Sequence, residues 1–132
     1  MAYASALLRD PARTYREIDL AGRTAAADGP ALVQLLYEEL TQALRVAAWA
    51  TDHRQFATRS ERVTRATAIL FALEANLDFD KGGDVSRVLA RFYAGCRKQV
   101  IEASLGTDGE PLRNVAAELD EIAGAWKQAR AA

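Results

Sequence analysis

Apolar residues recur at spacings of three and four through most of this chain, the period of one helix face rather than the alternation of a strand. Leu32, Leu35, Leu36, Leu40, Ala43, Leu44 and Ala47 predict a helix over about 30–52. Asp28-Gly29-Pro30 marks its start: Asp28 or Gly29 can cap free amides, and Pro30 suits a first-turn position that needs no N–H. Val63, Ala66, Leu70, Leu73 and Leu77 predict a second helix over about 56–78. The segment Asp78–Asp84 reads as a turn, because each of Gly82 and Gly83 costs a helix roughly 1 kcal/mol against alanine. Val85, Val88, Leu89, Phe92, Cys96 and Val100 line one face of a third helix, over about 84–105. Gly106 and Pro111 bracket the next break. Leu112, Val115, Leu119, Ile122 and Trp126 then predict a fourth helix over about 110–130, with Trp126 read as core.

Four helices joined by short connections run antiparallel to their neighbours, and seams near heptad spacing favour shallow left-handed crossings. The predicted fold is all-α: an antiparallel up-down-up-down four-helix bundle over 29–132, preceded by an N-terminal arm over 1–28. The arm is Ala-rich and polar, is interrupted by Pro11, and carries scattered anchors at Leu7, Leu8, Tyr15, Ile18 and Leu20. It reads as partly ordered.

Composition supports this picture. A chain of 132 residues fits one domain and can hide roughly two-thirds of its unfolded surface. With 50% apolar and 27% charged residues it is an ordinary globular sequence. Seventeen basic residues against 18 acidic ones leave a net charge of −1, so no global field draws in nucleic acid or an anionic membrane. The single cysteine, Cys96, excludes an intrachain disulfide and suits a reducing compartment. No apolar run approaches a membrane span, and Met1–Arg13 lacks the pattern of a secretory signal. The expected location is the cytosol.

The chemistry that helical bundles commonly carry has no residues here. A di-iron site needs two Glu-x-x-His elements, and this chain has one histidine, His53. His53 sits among Asp52, Arg54 and Gln55 at a predicted helix end, where its plain role is a surface residue favoured by the helix dipole. No phosphate loop, nucleophile elbow or paired-carboxylate pocket is present. Cys96 on an apolar face reads as a small core hydrophobe. Neither enzyme activity, metal nor cofactor is expected. Arg87, Arg91 and Lys98, with Arg97 beside them, form a basic strip on the third helix. It reads as a solvated face whose charges pair with Asp84, Glu102 and the acids Glu118, Asp120 and Glu121 of the fourth helix.

The informative feature is an apolar surplus. A bundle helix needs one apolar stripe. Yet Ile69-Leu70-Phe71, Val100-Ile101 and Leu35-Leu36-Tyr37 each present neighbours that cannot all share one core. Either the stripe is wide and meets two neighbours, or the chain carries an apolar groove for another helix. Periodicity leaves both readings open. Tyr15, Ile18 and Leu20 of the arm could cover such a groove until a partner displaces them.

Several segments together resemble the FliS family of flagellin export chaperones. Gly29-Pro-Ala-Leu-Val-Gln-Leu-Leu-Tyr-Glu39 is similar to that family's opening S-P-x-x-L-I-x-x-L-Y, and Ala66–Leu73 to its A-x-x-I-I-x-x-L. Leu77–Asp84 is similar to its L-D-x-x-x-G-G-E turn, and Leu89–Tyr93 to its L-x-x-L-Y. Leu112–Val115 with Ala125–Ala129 resembles its closing L-x-x-V … A-W-K-Q, and Tyr15 lies the expected distance before Pro30. The likeness covers nearly all of 15–129 in the right order. It departs at Ala27-Asp28-Gly29, at Tyr93-Ala94-Gly95 and at Ala103-Ser104. The resemblance implies a cytosolic chaperone that binds the disordered C-terminal segment of flagellin. It would block premature polymerisation and assist delivery to the export gate of the flagellar type III secretion system. Candidate contacts are Tyr15, Ile18 and Leu20 in the arm, and Leu36, Tyr37, Ile69, Phe71, Val100 and Ile101 in the groove. The alternative is a self-associating structural bundle, a homodimer built on the same surplus.

Overall fold

The computed structural model describes the chain from Gly29 to Ala131. Helices α1 (Gly29–Asp52), α2 (Phe56–Ala75), α3 (Phe79–Ala103) and α4 (Glu110–Ala131) follow one another through short connections. The expected arm over 1–28, with Tyr15, Ile18 and Leu20, lies outside the described residues, as does the side chain of Trp126.

α1 ends in a Schellman arrangement. The N–H of Gln55 bonds Ala50 O at 2.7 Å and that of Arg54 bonds Thr51 O at 3.2 Å. The residue that must turn left-handed there is Arg54, at φ 56°, where most helices place glycine. α2 stops at Ala75, short of the expected 78, because the next helix takes Asp78 as its cap: Asp78 Oδ1 accepts from Lys81 N at 2.9 Å. The segment expected as an open turn therefore winds as one helical turn. It breaks at Gly83, whose φ of 50° and ψ of −122° suit glycine and little else. Ser86 ties the two pieces together, donating its hydroxyl to Asp78 O at 2.8 Å.

The four helices form a ring in which each backbone packs closely against two neighbours: α1 against α2 and α4, and α3 against α2 and α4. The α1–α2 seam is the broadest and the α3–α4 seam the narrowest. Cross-links fix the directions. Asp52 pairs with Arg113 while Arg45 pairs with Asp120, so α1 and α4 run antiparallel. Arg59 donates to Gly106 O while Glu74 holds Arg97, so α2 and α3 do too. The α1–α2 loop and the Glu39–Arg65 pair give the same sense. The up-down-up-down bundle follows.

The predicted core positions Leu36, Leu40, Leu44, Val63, Ala66, Leu70, Leu73, Cys96, Val100, Leu112, Val115 and Leu119 are buried together. The third helix departs from expectation. Val85 and Val88, read as core, are exposed, and Leu89 and Phe92 are half-buried. Their stripe drifts toward α4, and the narrow α3–α4 seam does not reach around to cover it. Across the centre, the hydroxyls of Tyr37 and Tyr93 meet at 2.6 Å, joining α1 to α3 on the diagonal.

One junction holds the lower end. Asp52, in the last turn of α1, accepts from Gly109 N at 2.8 Å with one carboxylate oxygen and from Arg113 Nη1 at 2.7 Å with the other. Gly109 lies so close to α1 that a Cβ there would sit 2.4 Å from Ala48 O. The Arg113 hydrogen bond, then that from Gly109, holds the Asp52 carboxyl below its ordinary pKa of 3.8. A depressed carboxyl contributes stability that is complete above the unfolded value and is lost as pH falls through the folded one. Asp52→Asn should therefore flatten part of the acid limb below pH 3.8, read as the urea midpoint against pH. Arg54→Gly removes the left-handed penalty and should raise stability by about 0.5–1 kcal/mol in the same urea assay.

Candidate functional site

The structure separates the expected groove residues into two groups. Leu36, Tyr37, Ile69 and Val100 lie in the core, not in a groove. Phe71 and Ile101 face outward, 37% and 53% exposed. Of the run Ile69-Leu70-Phe71, one member is turned out; the same holds for Val100-Ile101. In α1 all three of Leu35, Leu36 and Tyr37 are buried, because α1 lies between the two broadest seams of the ring.

Phe71 and Ile101 sit on the outer side of the α2–α3 seam. The Arg97 guanidinium joins the two helices there, 5.4 Å from the Phe71 ring centre and 2.6 Å from Glu74 Oε2. Further along, Leu105 stands 84% exposed at the end of α3. The sequence reading missed Leu105, although its position one turn beyond Ile101 was a usable signal. It also missed Trp49 and Phe56, both exposed near the lower end of the bundle. Phe56 is covered by the Arg59 guanidinium at 4.5 Å, a cation–π contact. Trp49 belongs to a hollow of about 570 Å³ along the outer face of α1, with Glu38, Gln42, Arg45 and Val46. A second cleft, of about 500 Å³, lies between the end of α3 and the start of α4, with Gln99, Glu102, Asn114 and Glu118 in its lining.

The reactive side chains are occupied structurally. His53 ends α1, stacked on Trp49 with ring centres 4.4 Å apart and its Nδ1 2.8 Å from Trp49 O. Cys96 is buried; burial, with Glu118 nearby, pushes its thiol up to about 12. Burial likewise raises the Tyr93 phenol to about 12, against the opposing effect of the Tyr37 hydrogen bond. Among the described residues no three His, Cys, Asp or Glu side chains cluster as metal ligands. No described helix is long and apolar enough to cross a membrane. What the surface offers is apolar contact area edged with charge.

A sequence model described as Flagellar protein FliS matches residues 11–132. The chain belongs to the FliS family. It is 26% identical over 117 residues to the flagellar secretion chaperone FliS of Salmonella typhimurium, covering 88% of this chain and 87% of that one. It is 25% identical to the flagellar secretion chaperone FliS of Vibrio cholerae over 92% of this chain and 89% of the relative. A third relative, FliSB of Pseudomonas aeruginosa, is 25% identical over 86% of this chain and 90% of its own. The family accounts for the ordered match of short segments that no single motif could carry.

A thiolate is the reactive form of cysteine, so a buried thiol at about 12 should resist a disulfide reagent. Native protein at pH 8 should release less than one-tenth of the thiol colour that urea-unfolded protein gives at once. Full reaction in the native state would mean that Cys96 is open to solvent.

Proposed function

We propose that this FliS-family protein is a cytosolic flagellar secretion chaperone that binds flagellin through its disordered C-terminal segment. In this reading it keeps that segment from polymerising early and presents it to the flagellar export gate. The observation that carries the reading is the outward pair Phe71 and Ile101, with Leu105 beyond, on a bundle whose one cysteine is buried in the core.

Binding without catalysis suits this surface. An amphipathic segment that self-associates through an apolar face is silenced when that face is covered by another apolar surface. Folding on binding costs roughly 2–5 kcal/mol of ordering, offset by burying about 1,000–3,000 Å². An interface of that kind is broad, and its moderate net strength permits release at the export gate. Leu36, Tyr37, Ile69 and Val100 support the guest surface from beneath as packing, and Tyr15, Ile18 and Leu20 are its proposed cover.

The test is co-purification of flagellin, full-length and lacking its last ~40 residues, the length of a helix-in-groove contact region. Phe71→Asp and Ile101→Asp should each weaken capture of full-length flagellin at least tenfold with helicity unchanged. The truncated flagellin should be lost by every variant. Ile69→Asp should instead unfold the bundle. Unchanged capture by both surface variants removes the α2–α3 face from the reading. A stable homodimer that ignores flagellin favours the self-associating alternative.

A further inference from the structure

The basic strip on α3 does not behave as the sequence suggested. Of the acids expected to neutralise it, only Asp84 does so, bonding Arg87 within the same helix. Asp120 is drawn to Arg45 on the other side of the bundle. Arg97 is held by Glu74. Arg91 and Lys98 are exposed and make no ion pair among the described residues. Other acids are committed elsewhere: Asp52 and Glu110 to Arg113, and Glu39 to Arg65. A chain of nearly zero net charge therefore keeps two exposed cations on one helix, Arg91 and Lys98, without an ion pair among the described residues.

The strip has helical register. Arg87, Arg91, Ala94, Lys98, Ile101 and Leu105 follow one another at spacings of 4, 3, 4, 3 and 4, the seam spacing of packed helices. Their stripe is roughly 27 Å long at 1.5 Å per residue. Cations occupy its first two-thirds, and Ile101 and Leu105 close it, with Phe71 of α2 alongside. A polyphosphate backbone would satisfy the cations and leave Ile101 and Leu105 facing water. A helix with both an apolar stripe and carboxylates answers Ile101 and Leu105 as well as Arg91 and Lys98.

We propose that the α2–α3 face selects its guest by charge: it accepts an amphipathic helix whose apolar stripe is flanked by carboxylates and rejects the same helix flanked by cations. The proposal rests on the reading of this face as a guest surface and adds the chemistry of the guest. Apolar contact supplies area, whereas Arg91 and Lys98 supply sign, and with it discrimination and encounter rate. The helix that docks here sets its acidic turns over Arg87–Lys98 and its most apolar turn over Ile101 and Leu105.

The experiment titrates the full chain with two labelled 21-residue helical peptides. They share one leucine stripe and carry either glutamate or lysine on both flanks; anisotropy is read at 50 and 500 mM NaCl. At low salt the glutamate peptide should bind at least tenfold tighter, and the gap should narrow at high salt. Arg91→Glu with Lys98→Glu, both exposed, should abolish or reverse the preference with helicity unchanged. Equal binding of the two peptides, or a preference that survives the double reversal, overturns the proposal. So does a single-stranded DNA 20-mer that binds more tightly than the glutamate peptide, which would make the strip a polyanion site. If Phe71→Asp and Ile101→Asp leave flagellin capture intact while the peptide preference is present, the flagellin reading of this face fails and the charge selection stands for another helix.

Discussion

Ala43, Ala47, Ala48, Ala66 and Ala72 are almost wholly buried, and their small side chains let the helices of this ring approach one another closely. Close approach governs what each helix can hide. α1, flanked by the two broadest seams, buries an arc wide enough to take in Leu35, Leu36 and Tyr37 together. α3 sits across the ring with the narrowest seam on one side, and Val85 and Val88 stay in water there. The bundle is thus lopsided. One helix is a spine closely flanked on two sides, and the opposite one is a rail with more of its apolar stripe in water.

Charge follows the same asymmetry. The ion pairs that bridge helices gather on α1 and its partners: Asp52 with Arg113, Arg45 with Asp120, Glu39 with Arg65. Exposed pairs of this kind are individually weak. One of them takes Asp120, an acid that the sequence offered to α3. The Asp52 junction adds geometry to charge, since it caps the start of α4 and clamps it to α1 where Gly109 meets the Ala48 backbone.

A chaperone of this family needs no reactive group, and the structure uses its candidates for other purposes. Cys96 fills a gap in the core, His53 stacks on Trp49 at a helix end, and the Tyr37–Tyr93 pair crosses the interior. Each is a polar or reactive side chain placed where packing or hydrogen bonding satisfies it. The apolar residues that packing leaves outside, Phe71, Ile101 and Leu105, are the surface proposed for a guest.

The helices, their order and most core positions were legible because period and punctuation are local properties of a chain. Asp28-Gly29-Pro30, the paired glycines at 82–83 and Gly106–Pro111 mark breaks, and the 3-4 seams of the first, second and fourth helices point inward as expected. The boundary at Asp78 was misplaced by a few residues because a capping side chain competes with helix continuation only once both helices are in place. The surplus of apolar residues was legible too, but its division was not. Whether Ile69 or Phe71, Val100 or Ile101, Val85 or Leu112 meets water depends on how far a neighbouring helix reaches around, and that Asp120 pairs with Arg45 rather than with the third helix depends on the same arrangement. The sequence by itself determined that four amphipathic helices form and that more apolar surface exists than one core consumes. Only the tertiary arrangement decided which side chains were left outside, since that is a property of the distance and angle between helices rather than of any one of them.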